Sequence, residues 1–587
     1  MNNVNEVWAP AESPLMTRWS KKVNPECPLP EYPRPQMIRE DWLNLNGLWD
    51  YALRPKNDKK VENYDGKILV PFPLESALSG VKKKLNPDEK LWYRRYFTLP
   101  KEWAEKKLLL HFGAVDWETQ ILLNSQEVGI HRGGFTPFSI EISQFIDFEK
   151  ENELIVEVLD PTDKGHQQRG KQSLNPKIIW YTAISGIWQT VWLEPVPTTY
   201  IRNFYLTPNI DDFSLIINLE VHNLHPECLL ELEIIEQSSY KRIFNPPFDE
   251  IKVDIPTPIL WSLENPFLYD LKLKLLRDNI VIDEVISYFG MRKIRVGKDI
   301  NGIRCIELNN EKIFQYGTLD QGYWPDGLYT APSDEALKYD IEITKELGFN
   351  MIRKHVKIEP ARWYYHCDKN GILVWQDMPS GGVINITGID RDAQGQSINR
   401  DKTSEQHYYQ ELESMINALY NSPSIIAWVP FNEGWGQFNT SEVINKIRDL
   451  DHSRLIDAAS GWFDFAVGDI YDIHSYPNPK MPPIVNIKSR AAVVGEFGGL
   501  GLEIKDHIWK FQEKFVYRDY NSQDLLMRKY EKFISKLKTL KNKGLSAAIY
   551  TQITDVEQEL NGLLTYDREI VKFDKSKLRE LNLSLFE

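Results

Sequence analysis

Cysteine is scarce in this chain. Cys27, Cys228, Cys305 and Cys367 lie far apart and show neither a CxxC pair nor Cys/His ligand spacing, which excludes a disulfide framework or a structural zinc site as the organising element. Basic charge is in deficit, with 70 Lys and Arg against 84 Asp and Glu and a net charge of −14. Nucleic acid is therefore not an expected partner, because neutralising phosphates takes clustered cations. No apolar run approaches the ~20 residues of a membrane-spanning helix, so no membrane association is expected. The first residues, MNNVNEVWAPAES, lack the basic start and apolar core of a signal peptide. Cytoplasm is the expected compartment, with a periplasmic or secreted location as the alternative if a signal has been removed. No internal repeat, low-complexity tract or flexible linker is visible. No His/Asp/Glu group has recognisable ligand spacing, so neither a metal nor another cofactor is expected.

What is present is enough sequence for several domains, 587 residues with 26% charged and 42% apolar residues. The 18 Trp and 27 Tyr suit β-rich cores and also sugar-stacking surfaces. Up to about residue 198, runs such as LWYRRYFTLP, KLLLHFGAVDWETQILLN and NELIVEVLD are short, alternating or β-branched, and separated by turn residues. They predict a jelly-roll-like β-sandwich. A second β region, about 199–296, contains LIINLEVHN, LLELEIIE and LYDLKLKLL and has the size of an immunoglobulin-like sandwich. From about 297 to 587 strands alternate with helices. Predicted strands fall at Ile313–Gly317, Met351–Arg353, Leu373–Gln376, Ile425–Val429, Leu455–Ile456, Ile470–Tyr471, Ala491–Gly495 and Ala547–Gln552. Helices are predicted to start at Ser333, Ala361, Glu405 (capped by Ser404), Asn439 and Leu525. Eight such units match a C-terminal (β/α)8 TIM barrel. The expected class is thus multidomain β plus α/β.

Two barrel segments share one grammar. Ile425–Val429 is a short apolar run followed by Pro430-Phe431-Asn432-Glu433-Gly434-Trp435. Ala491–Gly495 is another, ending in Glu496-Phe497-Gly498. Strands buried on both faces read this way, and barrel chemistry sits in the loops after the strands. Two carboxylates with one protonated are the minimal apparatus for glycoside hydrolysis. By the same strand-end logic Asp320, Arg353, His355 and Asp377 would face the mouth, and Asn432 could hydrogen-bond a sugar 2-hydroxyl. An Arg beside Glu496 would keep it ionised. Trp324, Trp435 and Tyr550 are candidate sugar platforms or core residues.

With these residues on view, the whole chain resembles glycoside hydrolase family 2, the group of β-galactosidases, β-glucuronidases and β-mannosidases. The likeness is carried by LNLNGLWDYAL and SGIWQTVWLE in the first sandwich, WSLENPFLY and FGMR in the second, and KELGFNMIRKH, WYYHCDKNGILVWQD, PFNEGWGQ, VVGEFGG and TDVEQELNGLLTYDR in the barrel. The resemblance implies that Glu433 is the acid/base, Glu496 the nucleophile, and that anomeric configuration is retained. It also places His474 and Tyr476 beside the nucleophile, and a separation of about 5–5.5 Å between the two carboxyl groups follows from retention.

The branch within the family stays open. The glucuronidase branch carries an Asn and a Lys after strand eight, where this chain has Glu559-Leu560-Asn561-Gly562 without a lysine. Asn542-Lys543-Gly544 precedes strand eight, on the opposite face. Val374-Trp375-Gln376-Asp377 is similar to the mannosidase branch at strand three only. The leading expectation is a retaining exo-glycosidase acting on a terminal β-linked sugar, galactosidase-like as first choice. Mannosidase-like or glucuronidase-like specificity, an endo-acting or transglycosylating enzyme, and a non-catalytic carbohydrate-binding protein are the alternatives. The expected partner is a carbohydrate substrate, with homo-oligomer formation left open.

Overall fold

The computed structural model describes all residues except 1–7, 236–239, 382–399, 484–486, 488, 511 and 512. Two β-sandwiches and a small sheet precede the barrel. The first sandwich packs a six-stranded antiparallel sheet, with Gly47–Pro55, Glu89–Phe97 and Asn152–Leu159 at its centre, on a four-stranded sheet that includes Lys107–Phe112 and Val191–Val196. Alternation along Glu118–Leu123 sends Ile121 and Leu123 into the core with Trp49, Tyr93 and Val156, as the two-residue strand period requires. The second sandwich faces a three-stranded sheet (Tyr200–Asn209, Ser214–His222, Ile251–Asp254) with a four-stranded one containing Tyr269–Arg277 and Ile280–Phe289.

A further small sheet, Ile294–Lys298, Arg304–Leu308 and Glu311–Lys312, supplies Ile294, Ile306 and Leu308 to the apolar cluster inside the barrel, and so closes its N-terminal end. The expected domain boundary at 296 falls within its first strand. Arg292, at the end of the second sandwich, is buried and donates to the carbonyls of Pro423, Ser453 and Ile425 at 2.9–3.0 Å. It clamps that sandwich beneath the strand that leads to Glu433.

The barrel strands are β1 (Gln315–Asp320), β2 (Met351–Lys354), β3 (Leu373–Asp377), β4 (Ile425–Val429), β5 (Leu455–Ile456), β6 (Ile470–His474), β7 (Ala491–Gly498) and β8 (Leu545–Thr551). They form one parallel sheet in the order 5-4-3-2-1-8-7-6. Among the described residues β5 and β6 are not paired, so the barrel is nearly closed. Helices α1 (Asp334–Glu346), α2 (Ala361–Asn370), α3 (Lys402–Leu419), α4 (Thr440–Leu450), α5 (Gln523–Lys541) and α6 (Lys575–Leu583) surround it. None of these six follows β5 or β6. Leu319, Met351, Leu373, Trp375, Ala427, Val493, Ala547 and Ile549 pack with each other inside. The alternate residues Ile352, Val374 and Trp428 pack outward with Ile341, Leu412 and Ile447 of the helices.

Capping follows the expected chemistry with one shift. Ser333 Oγ accepts from Ala336 N at 3.1 Å, and Asp334 and Glu335 occupy the first turn of α1, where acids favour the helix dipole. Helix α3, expected from Glu405 with Ser404 as cap, begins at Lys402 instead. Asp401 is its cap, accepting from Ser404 N at 2.8 Å. The serine supplies the N–H that the aspartate satisfies. Asn439 stands at the N-cap of α4 with φ 38°, and its side chain makes no cap bond. Among the described residues no helix is long and apolar enough to cross a membrane.

Candidate active site

The mouth of the barrel brings Glu433 and Glu496 together. Strand β4 ends at Val429, and the loop that follows puts Glu433 in the left-handed region at φ 46°, its N–H donating to the carbonyl of Ser460 at 2.9 Å. A non-glycine residue held there costs of order 1–3 kcal/mol, strain that concentrates at functional sites. Glu496 lies within β7 after Gly495. A Cβ on Gly495 would come 1.9 Å from Asp472 Oδ2, so the glycine is what allows the β6 aspartate to lie beside the β7 glutamate. Carboxylate oxygens of Glu433 and Glu496 and a ring nitrogen of His474 all lie within 4.8 Å of one another.

The two glutamates differ in their neighbours. Tyr476 donates its hydroxyl to Glu496 Oε2 at 2.6 Å, and Arg353 Nη1 lies 3.3 Å from Oε1. Burial alone would push the Glu496 carboxyl up. The charges of His474 and Arg353, with Lys171 behind them, outweigh burial and hold it at about 2. Glu496 is thus kept ionised, the state a nucleophile needs. Arg353 is itself fixed by a two-pronged pairing with Asp377 at 2.9 and 3.0 Å and by Asn432 Oδ1 at 2.8 Å, the geometry that favours arginine over lysine. His355 Nδ1 lies 2.8 Å from Asp377 Oδ2. Burial first, then the positive charges of Lys171 and Arg353, hold its imidazole well below its ordinary range, so it is neutral.

His474 bridges the pair, with Nδ1 at 2.8 Å from Glu433 Oε1 and 3.4 Å from Glu496 Oε2. Its Nε2 lies 2.9 Å from Ser460 Oγ, which donates to Asp472 Oδ2 at 2.5 Å. Burial would lower its pKa, but Glu496, Glu433 and Asp472 reverse that and raise it. Among the described residues this trio is also the one set of three His, Cys, Asp or Glu side chains close enough to hold a cation; their donors and acceptors are engaged with one another. Asn432 Nδ2 is buried with no partner among the described residues, a donor left for a substrate oxygen.

Eight of the expected residues therefore meet in one place: Glu433, Glu496, Arg353, His355, Asp377, Asn432, His474 and Tyr476. Trp435 is half-buried at the rim and tilted against Trp180, with centroids 5.1 Å apart. Two expectations are corrected. Asp320 does not face the mouth. It alternates with the inward-facing Leu319, points to the helix side, and pairs with Lys354 Nζ at 2.5 Å and Gly322 N at 2.8 Å. Tyr550 shares the outward side of β8 with Ala548 and packs, fully buried, among Tyr316, Phe497 and Tyr530, so it offers no sugar platform. For Trp324, open between platform and core, the structure gives the core, edge-on to Trp19 and beneath the Arg568 guanidinium at 3.9 Å.

Family models match most of this framework. "Glycosyl hydrolases family 2, sugar binding domain" matches residues 42–197, "Glycosyl hydrolases family 2" 199–292, and "Glycosyl hydrolases family 2, TIM barrel domain" 330–496, the last containing both glutamates. The chain belongs to glycosyl hydrolase family 2. Its relatives include a β-galactosidase of Thermoanaerobacter pseudethanolicus, 26% identical over 441 residues, 70% of this chain and 55% of the relative. A putative β-glucuronidase of Formosa agariphila is 27% identical over 413 residues, 66% of this chain and 46% of the relative. The chain spans about half the length of the curated relatives it matches. A β-D-glucuronidase structure from Dictyoglomus thermophilum superposes with a TM-score of 0.73 at 18% identity, over 94% of this chain and 98% of that one. Ruminococcus gnavus β-glucuronidase gives 0.74 at 17% identity, over 95% and 100%. These likenesses are of fold.

Within this family 2 mouth the structure adds residues that sequence patterns do not flag. Ser460 and Asp472 support His474. Thr551 Oγ1 lies 2.7 Å from the Tyr476 hydroxyl, and Tyr517 stacks on the Tyr476 ring at 3.7 Å. Lys171 and Trp180 reach in from the first sandwich. The strand positions of Asp472 on β6 and Thr551 on β8 could have been counted; Ser460, Tyr517, Lys171 and Trp180 come from loops or another domain.

The Tyr476 contact carries a pH prediction. A hydrogen bond to the charged form lowers a carboxyl pKa, so Tyr476→Phe should raise that of Glu496 by about 1–2 units, the equivalent of one charge-assisted bond. The acidic limb of kcat/KM should move upward accordingly, with activity lost as pH falls through the raised value. A pH–rate profile of the variant superimposing on wild type would contradict this role.

Proposed function

We propose that the chain is a retaining exo-glycosidase that removes a terminal β-linked sugar, with a β-galactoside as first choice of substrate. Glu496 attacks the anomeric carbon while Glu433 gives its proton to the departing oxygen. Glu433 then takes a proton from the water that releases the sugar. The observation that carries the reading is that one oxygen of the Glu433 carboxylate lies within 4.8 Å of one oxygen of the Glu496 carboxylate. That is close for direct attack, whereas an inverting pair needs roughly 6.5–9.5 Å to admit a water. Asn432 Nδ2 would meet the 2-hydroxyl, and His474 would keep its proton between the two acids as charge moves from one to the other. Proton and nucleophile both come from side chains, so the proposed route uses no cofactor.

The proposed division of labour follows the domains: 1–198 and 199–296 as sandwiches, with the barrel over 297–587 carrying the chemistry. The proposed partner is a carbohydrate substrate.

A panel of aryl β-glycosides read by proton NMR tests this. One neutral sugar, galactose first, should be released initially as the β-anomer, with the α-anomer appearing only by mutarotation. Initial α-product would overturn retention. Preference for the glucuronide would replace the galactoside reading. Binding without turnover of every sugar would favour a carbohydrate-binding protein.

A further inference from the structure

One wall of the mouth is built by the first sandwich rather than the barrel. Residues 166–172, HQQRGKQ, lie against the loop after β3. Gln168 bridges Gly381, and the N–H groups of Arg169 and Gly170 both donate to the Ser380 carbonyl at 2.9 Å. Gly170 has φ 57°, and a Cβ there would come 2.6 Å from the carbonyl oxygen of Val356. The glycine is therefore what lets this segment lie on the barrel. The next residue is aimed by its surroundings. The Lys171 carbonyl accepts from Tyr181 N at 2.9 Å, and Gln172 Nε2 donates to Asp116 Oδ2 at 2.7 Å.

The side chain so placed is a lysine that is only 5% exposed. Its ammonium lies 5.6 Å from the Tyr181 ring centroid and 5.9 Å from that of Trp435. Its charge is felt at Glu496, His355 and Glu559, yet among the described residues no carboxylate lies within 4.0 Å of it and it donates no hydrogen bond. An ammonium has three N–H donors, and an almost buried one needs acceptors.

Glu559, the acidic group nearby, is held ready in a complementary way. Oε2 accepts from the Tyr181 hydroxyl and Oε1 from Asn561 Nδ2 at 2.9 Å. Each oxygen keeps a second lone pair free. A donor without acceptors therefore faces an acceptor with spare capacity, beside Glu496.

We propose that Lys171 and Glu559 bind hydroxyl groups of the sugar attacked by Glu496, the lysine donating and the glutamate accepting. Selectivity for a neutral sugar is thereby read in part by the N-terminal sandwich. This rests on the proposed role of Glu496. A uronic acid is disfavoured because its carboxylate would enter beside Glu559, Glu496 and Glu433, three acids against the single uncommitted cation among the described residues there, Lys171. Lys171 acts here on substrate choice, beside the charge it already lends to keeping Glu496 ionised.

The test uses aryl β-glycosides of the preferred sugar, its mono-deoxy analogues at each position, and the matching uronide, with the full-length protein and its Lys171→Met and Lys171→Arg variants. Lys171→Met should lower kcat/KM for the parent sugar about 10- to 100-fold, the range for losing one charge-assisted hydrogen bond. For one deoxy analogue the wild type and Lys171→Met should be nearly equal, because the hydroxyl that Lys171 holds is already gone. Lys171→Arg should recover part of the loss on the parent. Losses that add independently at every position would overturn the proposal, as would a wild-type preference for the uronide that Lys171→Met abolishes. If Lys171→Met fails to fold, the Lys171→Arg variant run through the same deoxy series decides. An active, retaining wild type with additive losses sinks this inference alone. A wild type inactive on every glycoside sinks the reading beneath it as well.

Discussion

Glu496→Ala is expected to lower kcat/KM on every aryl glycoside by several orders of magnitude, on the order of 10⁴-fold or more, irrespective of leaving group. The carboxylate is held by Tyr476, Arg353 and His474 together, and without it no group in the mouth can form the covalent intermediate. Arg353 keeps its paired contact with Asp377 and its bond to Asn432, so the variant should remain folded, and a denaturation midpoint near that of wild type checks this. Azide could enter the space left by the side chain and attack from the same face, giving the α-glycosyl azide. Near-wild-type turnover by a well-folded Glu496→Ala protein would show that the reaction is carried elsewhere.

How much of this site was legible can be judged residue by residue. The strand-end glutamates could be read because a fully buried parallel strand is a short apolar run whose end is marked by the first polar residues after it. The two placements that failed within the barrel did so on a rule the sequence also contains. Side chains alternate across a strand, so counting by twos from Ala547 passes Ile549 and Thr551, not Tyr550. Leu319 faces in and Asp320 therefore faces out, whereas Asp377 shares its parity with Leu373 and Trp375. Being last on a strand is not enough; parity decides whether the chemistry is inside or outside the barrel.

Other parts of the site had no local signal. Lys171 and Trp180 belong to the first sandwich, and the docking of Gln168–Gly170 on Ser380 and Gly381 and of the Trp180 carbonyl on Gln558 Nε2 brings them to the mouth. Likewise β5 is two residues long, too short for any periodicity, yet the loop after it carries Ser460, which supports both Glu433 and His474. The capping shift at α3 has a similar source. Asp401 and Ser404 are both good N-cap residues by type, and the choice rests on which one finds a free N–H three positions on.

Glu433→Ala should behave differently from its partner, and the difference assigns the roles. Removing the proton donor leaves Glu496 ionised beside Arg353 and Tyr476, still able to attack. A phenyl glycoside, whose leaving group needs protonation, should lose about 10²–10⁴-fold in kcat/KM, the range for general acid catalysis. A dinitrophenyl glycoside leaves without help, so formation of the glycosyl-enzyme from it should stay close to wild type. Release should then be slow, because the same side chain must deprotonate the incoming water. The intermediate should accumulate, visible as a burst of dinitrophenol and as an intact-protein mass increase of one sugar. Azide needs no base. It should restore turnover in Glu433→Ala and give the β-glycosyl azide, the product of two inversions. His474, deprived of one of the three acids that raise it, would keep Glu496 and Asp472, so its pKa should fall toward its ordinary value. An α-azide product from this variant, or equal losses on phenyl and dinitrophenyl substrates, would reverse the assignment and make Glu433 the nucleophile.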